Sequence, residues 1–192
     1  MKAANYGRIV MTSSSSGLYG NFGQANYGAA KMAVVGLMNT LHIEGAKNNI
    51  LVNTLAPGAA TQMTRDLLPP PVIELMKPET VAPGLLFLVS EDAPSRVILC
   101  ATAGGFARTL IHETEGIWLG EADCTPEGVA AHFAEISDPA GEYLYENGGG
   151  QVMKFVGKAA AGAGIKLGCG LVSRGPRSCH DLQTVQPTSV VG

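Results

Sequence analysis

The chain has 192 residues, of which 46% are hydrophobic and 15% are charged, and its formal net charge is −3. This composition is typical of a globular protein with a buried core and excludes a chain that is disordered throughout. The small negative charge provides no overall attraction to nucleic acids or anionic membranes, so we expect neither as a partner. The four cysteines are far apart and form no C-x-x-C pair, so we predict reduced thiols and no metal site.

The predicted elements begin with a strand and a long helix. The string GRIVMTSS, at residues 7–14, has three consecutive apolar residues followed by serines, which predicts a strand buried on both faces. Residues 26–47 predict a helix whose surface is mostly apolar, so we expect a sheet and a second subunit to cover it. The string ILVNTLAPG predicts a second strand over residues 50–55, which ends before Pro57 and Gly58.

Further along the chain, residues 63–90 predict helices that prolines interrupt, and RVILCATAGGF predicts a third strand. Strands that alternate with helices imply right-handed crossovers and a parallel α/β sheet. Beyond Gly105 a further strand or ribbon is expected. The string TPEGVAAHFAEISD predicts a helix with Thr125 as its N-cap, and ENGGGQ is expected to be a loop.

A candidate proton-transfer site lies between the first strand and the long helix. Tyr27 and Lys31 are four residues apart, which places both side chains on one face of a helix. A lysine ammonium beside a tyrosine stabilises the phenolate, so that the tyrosine can exchange protons near neutral pH. The run of serines at 13–16 follows the carboxyl end of a predicted strand, where open parallel sheets bind ligands. The loop APGAAT, at residues 56–61, follows the next strand in the same way.

These motifs resemble the short-chain dehydrogenase/reductase family, in which a serine stands thirteen residues before the tyrosine of Y-x-x-x-K. By composition Ser13, Ser15 and Ser16 are alternatives, but the family spacing selects Ser14. The resemblance implies that Tyr27 is the general acid/base, that Lys31 assists it and holds the nicotinamide ribose, and that Ser14 polarises the substrate carbonyl.

The resemblance also implies contacts to an NAD or NADP cofactor. Tyr27 and Lys31 would share this role with the loop after the second strand, where Pro57 and Gly58 match the family's Pro-Gly pattern. Thr61 would match the hydroxyl that contacts the cofactor carboxamide, and Thr64 is the alternative because the family spacing varies there.

A narrower resemblance covers residues 5–157. The strings GNFGQANYGAAK, IEGAKNNILVNTLAP and MKPETVAP are similar to the (3R)-hydroxyacyl-CoA dehydrogenase parts of peroxisomal multifunctional β-oxidation enzymes and of their bacterial relatives. This similarity implies a 3-hydroxyacyl thioester substrate, or another ketone and alcohol pair. Because the final residues SVVG are not a peroxisomal signal, we expect a cytoplasmic location.

The chain departs from the family in one large respect. Members begin with a strand and a T-G-x-x-x-G-x-G loop that binds the pyrophosphate, and neither precedes the strand at residues 7–14. The residue that selects NAD or NADP is also absent, so that choice stays open. A second hypothesis follows, in which the chain is a non-catalytic truncated fragment that is inactive alone.

We therefore predict three regions. Residues 1–120 form the C-terminal, catalytic half of a Rossmann-like doubly wound parallel sheet. Residues 121–157 form a helical C-terminal extension, and residues 158–192, rich in Gly, Ala, Ser and Pro, are expected to be disordered. In the intact enzyme we expect a homodimer.

Overall fold

The structure, a computed structural model, describes residues 1–61 and 68–167. The chain divides into two compact units, one from Met1 to Thr109 and a second that begins at Leu110. This boundary lies before the one predicted at 120/121, because the last strand of the sheet ends at Thr109. Each unit is described by itself below.

The first unit contains a four-stranded sheet within the described residues, in the order β1-β2-β3-β4. The first three strands run parallel, and β4 pairs antiparallel with β3. The strands are β1 (Gly7–Thr12), β2 (Ile50–Gly58), β3 (Ile98–Thr102) and β4 (Gly105–Thr109). The predicted α/β fold is confirmed, with an antiparallel strand at one edge of the described sheet.

The helices found in the described part of the first unit lie between these strands in the chain. They are α1 (Ser15–Tyr19), α2 (Ala25–Gly45), α3 (Pro70–Leu75) and α4 (Ala82–Leu88). The long helix predicted at 26–47 is therefore present, and its last residues form a 3-10 turn over Ala46–Asn48. The prolines at the starts of α3 and α4 occupy the first turn, where a missing N–H costs no helical hydrogen bond.

Helices cover both faces of the sheet. On one face Val35 and Met38 of α2 pack against Val52 of β2 and its neighbours. On the other face Leu88 of α4 packs with Leu55 of β2 and its neighbours. Successive residues of a strand point to opposite faces, so the two clusters lie on opposite sides of β2. This is the doubly wound arrangement that the alternating pattern predicted.

Strand β2 is longer than predicted. Pro57 and Gly58 belong to the strand rather than following it, and they pair with Ala101 and Thr102 of β3. A Cβ at position 58 would collide with the Thr102 side chain, so the glycine is what allows the two strands to approach there. Pro57 and Gly58 are thus the last residues of the strand.

Helix α2 is less buried than its apolar sequence predicted. Its buried residues are Val35, Met38 and Gly45, while Met32 and Leu37 are 39% and 49% exposed. Within the described chain the sheet covers one side of the helix, and cover of the remaining apolar side chains by a second subunit stays a prediction.

The second unit contains three short or medium helices within the described residues. They are α5 (Pro126–Ala131), α6 (Phe133–Ile136) and α7 (Gly148–Gly162). The predicted N-cap at Thr125 is confirmed, because its Oγ1 accepts a hydrogen bond of 3.0 Å from the Gly128 N–H. The single helix predicted there is instead two helices that meet at His132.

Helix α7 corrects two expectations. The glycines of ENGGGQ are helical rather than a loop, since the Asn147 side chain caps the helix and accepts a 2.9 Å hydrogen bond from the Gly150 N–H. The helix also continues through Gly162, so residues 158–162 are ordered, and Ala160 is buried. Most of the predicted tail, from residue 168 onward, lies outside the described residues.

Two lysines of α7 join that helix to the segment 113–116. The Lys154 Nζ donates to the Thr114 carbonyl at 2.8 Å and lies 2.7 Å from the Glu113 carboxylate. One turn later, Lys158 donates to the carbonyls of Glu115 and Gly116 and pairs with the Glu115 carboxylate. Main-chain carbonyls of this segment are thereby satisfied by ammonium groups.

The charges of this cluster shift the pKa values of its members. Burial raises the pKa of Glu115, but hydrogen bonds from Lys158 and Tyr143 and the charge of Lys158 outweigh it and leave the pKa below its ordinary value. Burial lowers the pKa of Lys154, while the Glu113 carboxylate and Tyr145 raise it above its ordinary value. The cluster therefore favours the charged forms of both residues.

Candidate active site

The serine run begins where β1 ends. The Ser13 N–H donates to the Leu55 carbonyl at 2.7 Å, which extends the pairing of β1 with β2 by one residue. Ser14 follows as the N-cap of α1, and its Oγ accepts a 3.2 Å hydrogen bond from the Ser16 N–H. A hydroxyl that accepts one hydrogen bond can still donate its own proton. Ser14 is therefore suited to donating a hydrogen bond to a carbonyl oxygen.

Tyr27 and Lys31 occupy the first two turns of α2. The Lys31 Nζ lies 5.7 Å from the centre of the Tyr27 ring, so the predicted one-face arrangement is present. The Tyr27 side chain is 43% exposed, so a substrate in solution can reach it. The pair has the placement that acid/base work needs, a reachable phenol with an ammonium beside it.

The Lys31 ammonium is anchored to the sheet. Its Nζ donates to the main-chain carbonyl of Thr12, the last residue of β1, at 3.0 Å. This contact places the charge of Lys31 at the carboxyl end of the parallel strands. The sequence patterns did not indicate this hydrogen bond, because its acceptor is the main-chain carbonyl of Thr12 and the Thr12 side chain takes no part in it.

Two glycines allow α1 to lie directly on α2. A Cβ at Gly17 would stand 2.8 Å from the Lys31 Cβ, and one at Gly28 would stand 3.0 Å from the Ser16 carbonyl oxygen. An added Cβ at Gly17 would force its neighbours to shift, and one at Gly28 would require the Ser16 carbonyl to give way by a few tenths of an ångström. The close approach holds the turn that begins at Ser14 against Lys31. Gly17 is the glycine of the S-x-x-G motif, and this contact gives it a physical reason.

The predicted cofactor loop lies at the same edge of the sheet. Strands β1 and β2 are parallel and in register from Gly7 and Ile50, so both carboxyl ends point the same way. Pro57 and Gly58 end β2 there, and Thr61 follows as an exposed residue. Thr64, the alternative to Thr61, lies outside the described residues.

The environment of Ser13 distinguishes it from Ser14. Ser13 is 1% exposed and its hydroxyl donates to the Lys31 carbonyl, so this alternative to Ser14 faces the protein interior.

In residues 1–61 and 68–167, no three His, Cys, Asp or Glu side chains stand close enough together to hold a metal ion. Over the same ranges, none of the helices has the length and apolar character that crossing a bilayer requires.

Comparison with known proteins identifies relatives of this chain. The family model described as short chain dehydrogenase matches residues 1–70. The chain is 47% identical, over 138 residues, to a short-chain type dehydrogenase/reductase of Mycobacterium tuberculosis, and the match covers 71% of this chain and 48% of that protein. It is 48% identical, over 141 residues, to the mouse peroxisomal multifunctional enzyme type 2, covering 72% of this chain and 19% of the mouse protein.

A solved structure shows the same similarity. The full-length peroxisomal multifunctional enzyme type 2 of Drosophila melanogaster superposes with a TM-score of 0.67 and 34% sequence identity. The superposition covers 85% of this chain and 29% of the Drosophila chain. This chain therefore spans less than half the length of each of these relatives.

Proposed function

Because this chain belongs to the short-chain dehydrogenase/reductase family, we propose that it carries the proton-transfer site of an oxidoreductase that interconverts a secondary alcohol and a ketone. One observation supports the proposal most directly. The Lys31 ammonium lies between the Tyr27 ring and the end of β1, next to the turn that Ser14 begins. We infer that Ser14, Tyr27 and Lys31 act together at the carboxyl ends of the strands, where open parallel sheets bind ligands.

The proposed roles follow from the chemistry of each group. In the oxidation direction the Tyr27 phenolate accepts the proton of the substrate hydroxyl, and in the reduction direction Tyr27 returns a proton to the carbonyl oxygen. Lys31 stabilises the phenolate through its positive charge. Ser14 donates a hydrogen bond to the substrate oxygen, whose partial negative charge grows as the reaction proceeds.

The donors at this edge fit a nicotinamide nucleotide. An ammonium and a phenol suit the two hydroxyls of a ribose, and the Thr61 hydroxyl with the main chain near Pro57 and Gly58 suits a carboxamide. When bound, NAD or NADP would accept or supply the hydride that accompanies the proton. The residues named here would hold and orient it.

For the substrate we propose a 3-hydroxyacyl-CoA and the corresponding 3-oxoacyl-CoA. The similarity to the mouse and Drosophila multifunctional enzymes supports this class. A homodimer remains a prediction, which the exposed apolar side chains of α2 support. The cytoplasmic location also remains a prediction, and relatives named as peroxisomal are known.

Acetoacetyl-CoA, the smallest 3-oxoacyl-CoA in common use, provides the test. We expect the full chain to oxidise NADH or NADPH in its presence, and Tyr27→Phe to lower kcat by at least about 100-fold, within the range of a general acid/base contribution. The measurement is the absorbance of the reduced coenzyme at saturating substrate, with each coenzyme in turn.

Tyr6→Phe is the matched control, since Tyr6 is 45% exposed, close to the value for Tyr27, and also stacks with a cation. It should leave kcat unchanged. Full activity of Tyr27→Phe would reject the role of that residue. A folded wild-type chain that oxidises neither coenzyme would reject the proposal for this chain and favour the non-catalytic hypothesis.

A further inference from the structure

The main chain and the side chain of Lys31 are held by two consecutive residues at the end of β1. The Lys31 Nζ donates to the Thr12 carbonyl at 3.0 Å. The Ser13 hydroxyl donates to the Lys31 carbonyl at 2.9 Å. The lysine is therefore fixed at both of its ends, by Thr12 at the ammonium and by Ser13 at the backbone.

We propose that Ser13 is a positioning residue for Lys31, and through Lys31 for the proton transfer at Tyr27. The inference rests on the proposed function, since it assigns Ser13 a part in the geometry of that site. Ser13 does not contact the substrate or the cofactor in this proposal.

The surroundings of Ser13 favour this role over an ordinary packing role. Its side chain is 1% exposed, and its N–H continues the β1–β2 ladder by donating to Leu55 at 2.7 Å. Ser13 therefore connects three elements, the end of β1, strand β2 and helix α2. Because a strand end is rigid when its N–H is paired, the hydroxyl holds the α2 turn at a fixed distance from the sheet.

The carbonyl that Ser13 contacts lies in the interior of a helix. A helical carbonyl has a second lone pair, which can accept a side-chain donor as well as the helical N–H. The bond thus adds an anchor without disturbing α2. The bond acts at Lys31, whose ammonium must lie beside Tyr27 for the proposed proton transfer.

Loss of the Ser13 hydroxyl should release Lys31 in a way that can be measured without coenzyme or substrate. We expect Ser13→Ala to increase the rate at which dilute acetic anhydride acetylates Lys31 in the full chain, relative to the exposed Lys47. The expected increase is about two- to tenfold, the factor that corresponds to one hydrogen bond of ordinary strength. Mass spectrometry of the two lysine-containing peptides gives the ratio.

Thr54→Val is the matched control. Thr54 is fully buried, and its hydroxyl also joins the sheet to α2, but at Met38, two turns beyond Lys31. This variant should lower stability while leaving the acetylation ratio of Lys31 to Lys47 unchanged. Ser13→Thr keeps the hydroxyl and should return the ratio toward that of the wild type.

The result that would overturn the proposal is an unchanged ratio in Ser13→Ala, or an equal rise in Ser13→Ala and Thr54→Val. If Ser13→Ala folds poorly, Ser13→Cys retains the volume with a much weaker donor and serves in its place. Where the chain turns over acetoacetyl-CoA, Ser13→Ala should lower kcat and leave the KM for acetoacetyl-CoA unchanged. An inactive wild type would reject the proposed function, whereas the acetylation ratio would still decide the role of Ser13.

Discussion

Gly17 shows how a residue without a side chain contributes to the site. A Cβ at this position would stand 2.8 Å from the Lys31 Cβ and 2.9 Å from the Lys31 carbonyl carbon. The α1 turn that Ser14 begins can therefore rest on the backbone of α2 at Lys31 itself. Because the contact is with main-chain and Cβ atoms, neither of which can rotate away, an added methyl group has to displace one of the two helices.

Gly17→Ala is expected to destabilise the first unit by about 1–3 kcal/mol, the usual cost of overpacking. Since it displaces Lys31, we also expect kcat to fall by about 100-fold, as for a shift of about 1 Å at a reacting group. Urea unfolding followed by circular dichroism measures the stability.

Gly36→Ala provides the comparison for Gly17→Ala. Position 36 is an exposed glycine inside α2, and a Cβ added there would have no atom of another element within 4 Å. Alanine there should stabilise the helix by about 0.5–1 kcal/mol and leave turnover unchanged. Equal stability changes at the two positions would contradict the close contact at Gly17.

The sequence predicted the candidate reactive groups, but it did not predict the contacts that hold them. Tyr27 and Lys31 were found from a four-residue spacing, and the structure places them on one helical face. The anchors of Lys31 are a carbonyl of Thr12 and a buried hydroxyl of Ser13. Neither contact follows from local sequence, because both depend on how the end of β1 packs against α2.

Helix α7 depends on tertiary contacts that its local sequence does not predict. Three glycines at 148–150 disfavour a helix, yet Asn147 caps them and the two lysines fasten the helix to segment 113–116. A cap contributes about 1 kcal/mol, and the ion pairs add to it. Local propensity alone therefore predicted a loop where tertiary contacts produce a helix.

The Glu115 carboxylate makes this attachment sensitive to acid. Its pKa in the folded protein lies below the ordinary value, so its contribution to stability is fully present above about pH 4.3, the pKa of an unperturbed glutamate. That contribution is lost as the pH falls through the lowered pKa. Glu115→Gln should therefore lower stability at neutral pH and weaken the acid dependence, as measured by urea unfolding from about pH 3 to about pH 7.

Trp118 lies in the second unit and is the one tryptophan of the chain, so its fluorescence follows that unit. Glu121→Gln, which removes an exposed carboxylate nearby in sequence, is the comparison for the change in charge alone. An identical acid dependence in Glu115→Gln and in the wild type would contradict the assigned pKa direction.

The alternation of strands and helices along the sequence was enough to predict a parallel sheet. The parallel order of β1, β2 and β3 and the helices on both faces follow from that alternation. The continuation of β2 through Pro57 and Gly58 did not follow from it. Proline and glycine usually end a strand, and here the pairing with β3 overrides that local preference.

The packing of α2 on β1 and β2 joins residues that lie closer together in the chain than the packing of α4 on β2 does. The hydrogen bonds that join α2 to the end of β1 span 18 and 19 residues, whereas the bond from Val97 to Asn53 spans 44. Closing the longer loop costs about 0.8 kcal/mol more, at about 0.6 kcal/mol for each doubling of length. Contacts around α2 should therefore form earlier in folding than contacts around α4.

Val35→Ala and Leu88→Ala test this order, because both side chains are 0% exposed and belong to opposite faces. Each truncation should destabilise the protein by about 1–5 kcal/mol. We expect Val35→Ala mainly to slow refolding and Leu88→Ala mainly to speed unfolding, as measured by stopped-flow experiments across urea concentrations. Slower refolding of Leu88→Ala than of Val35→Ala would reverse the proposed order.

The two anchors of Lys31 have a consequence for how such a site can change over evolution. Both anchors and the lysine itself belong to one continuous peptide, from Thr12 to Lys31. The loop proposed to contact the cofactor is a separate peptide that follows β2. Substitutions in the cofactor loop therefore leave the lysine and both anchors unchanged in sequence, and the segment from Thr12 to Lys31 can be inherited as one stretch of chain, with the Leu55 carbonyl of β2 as the outside partner of Ser13.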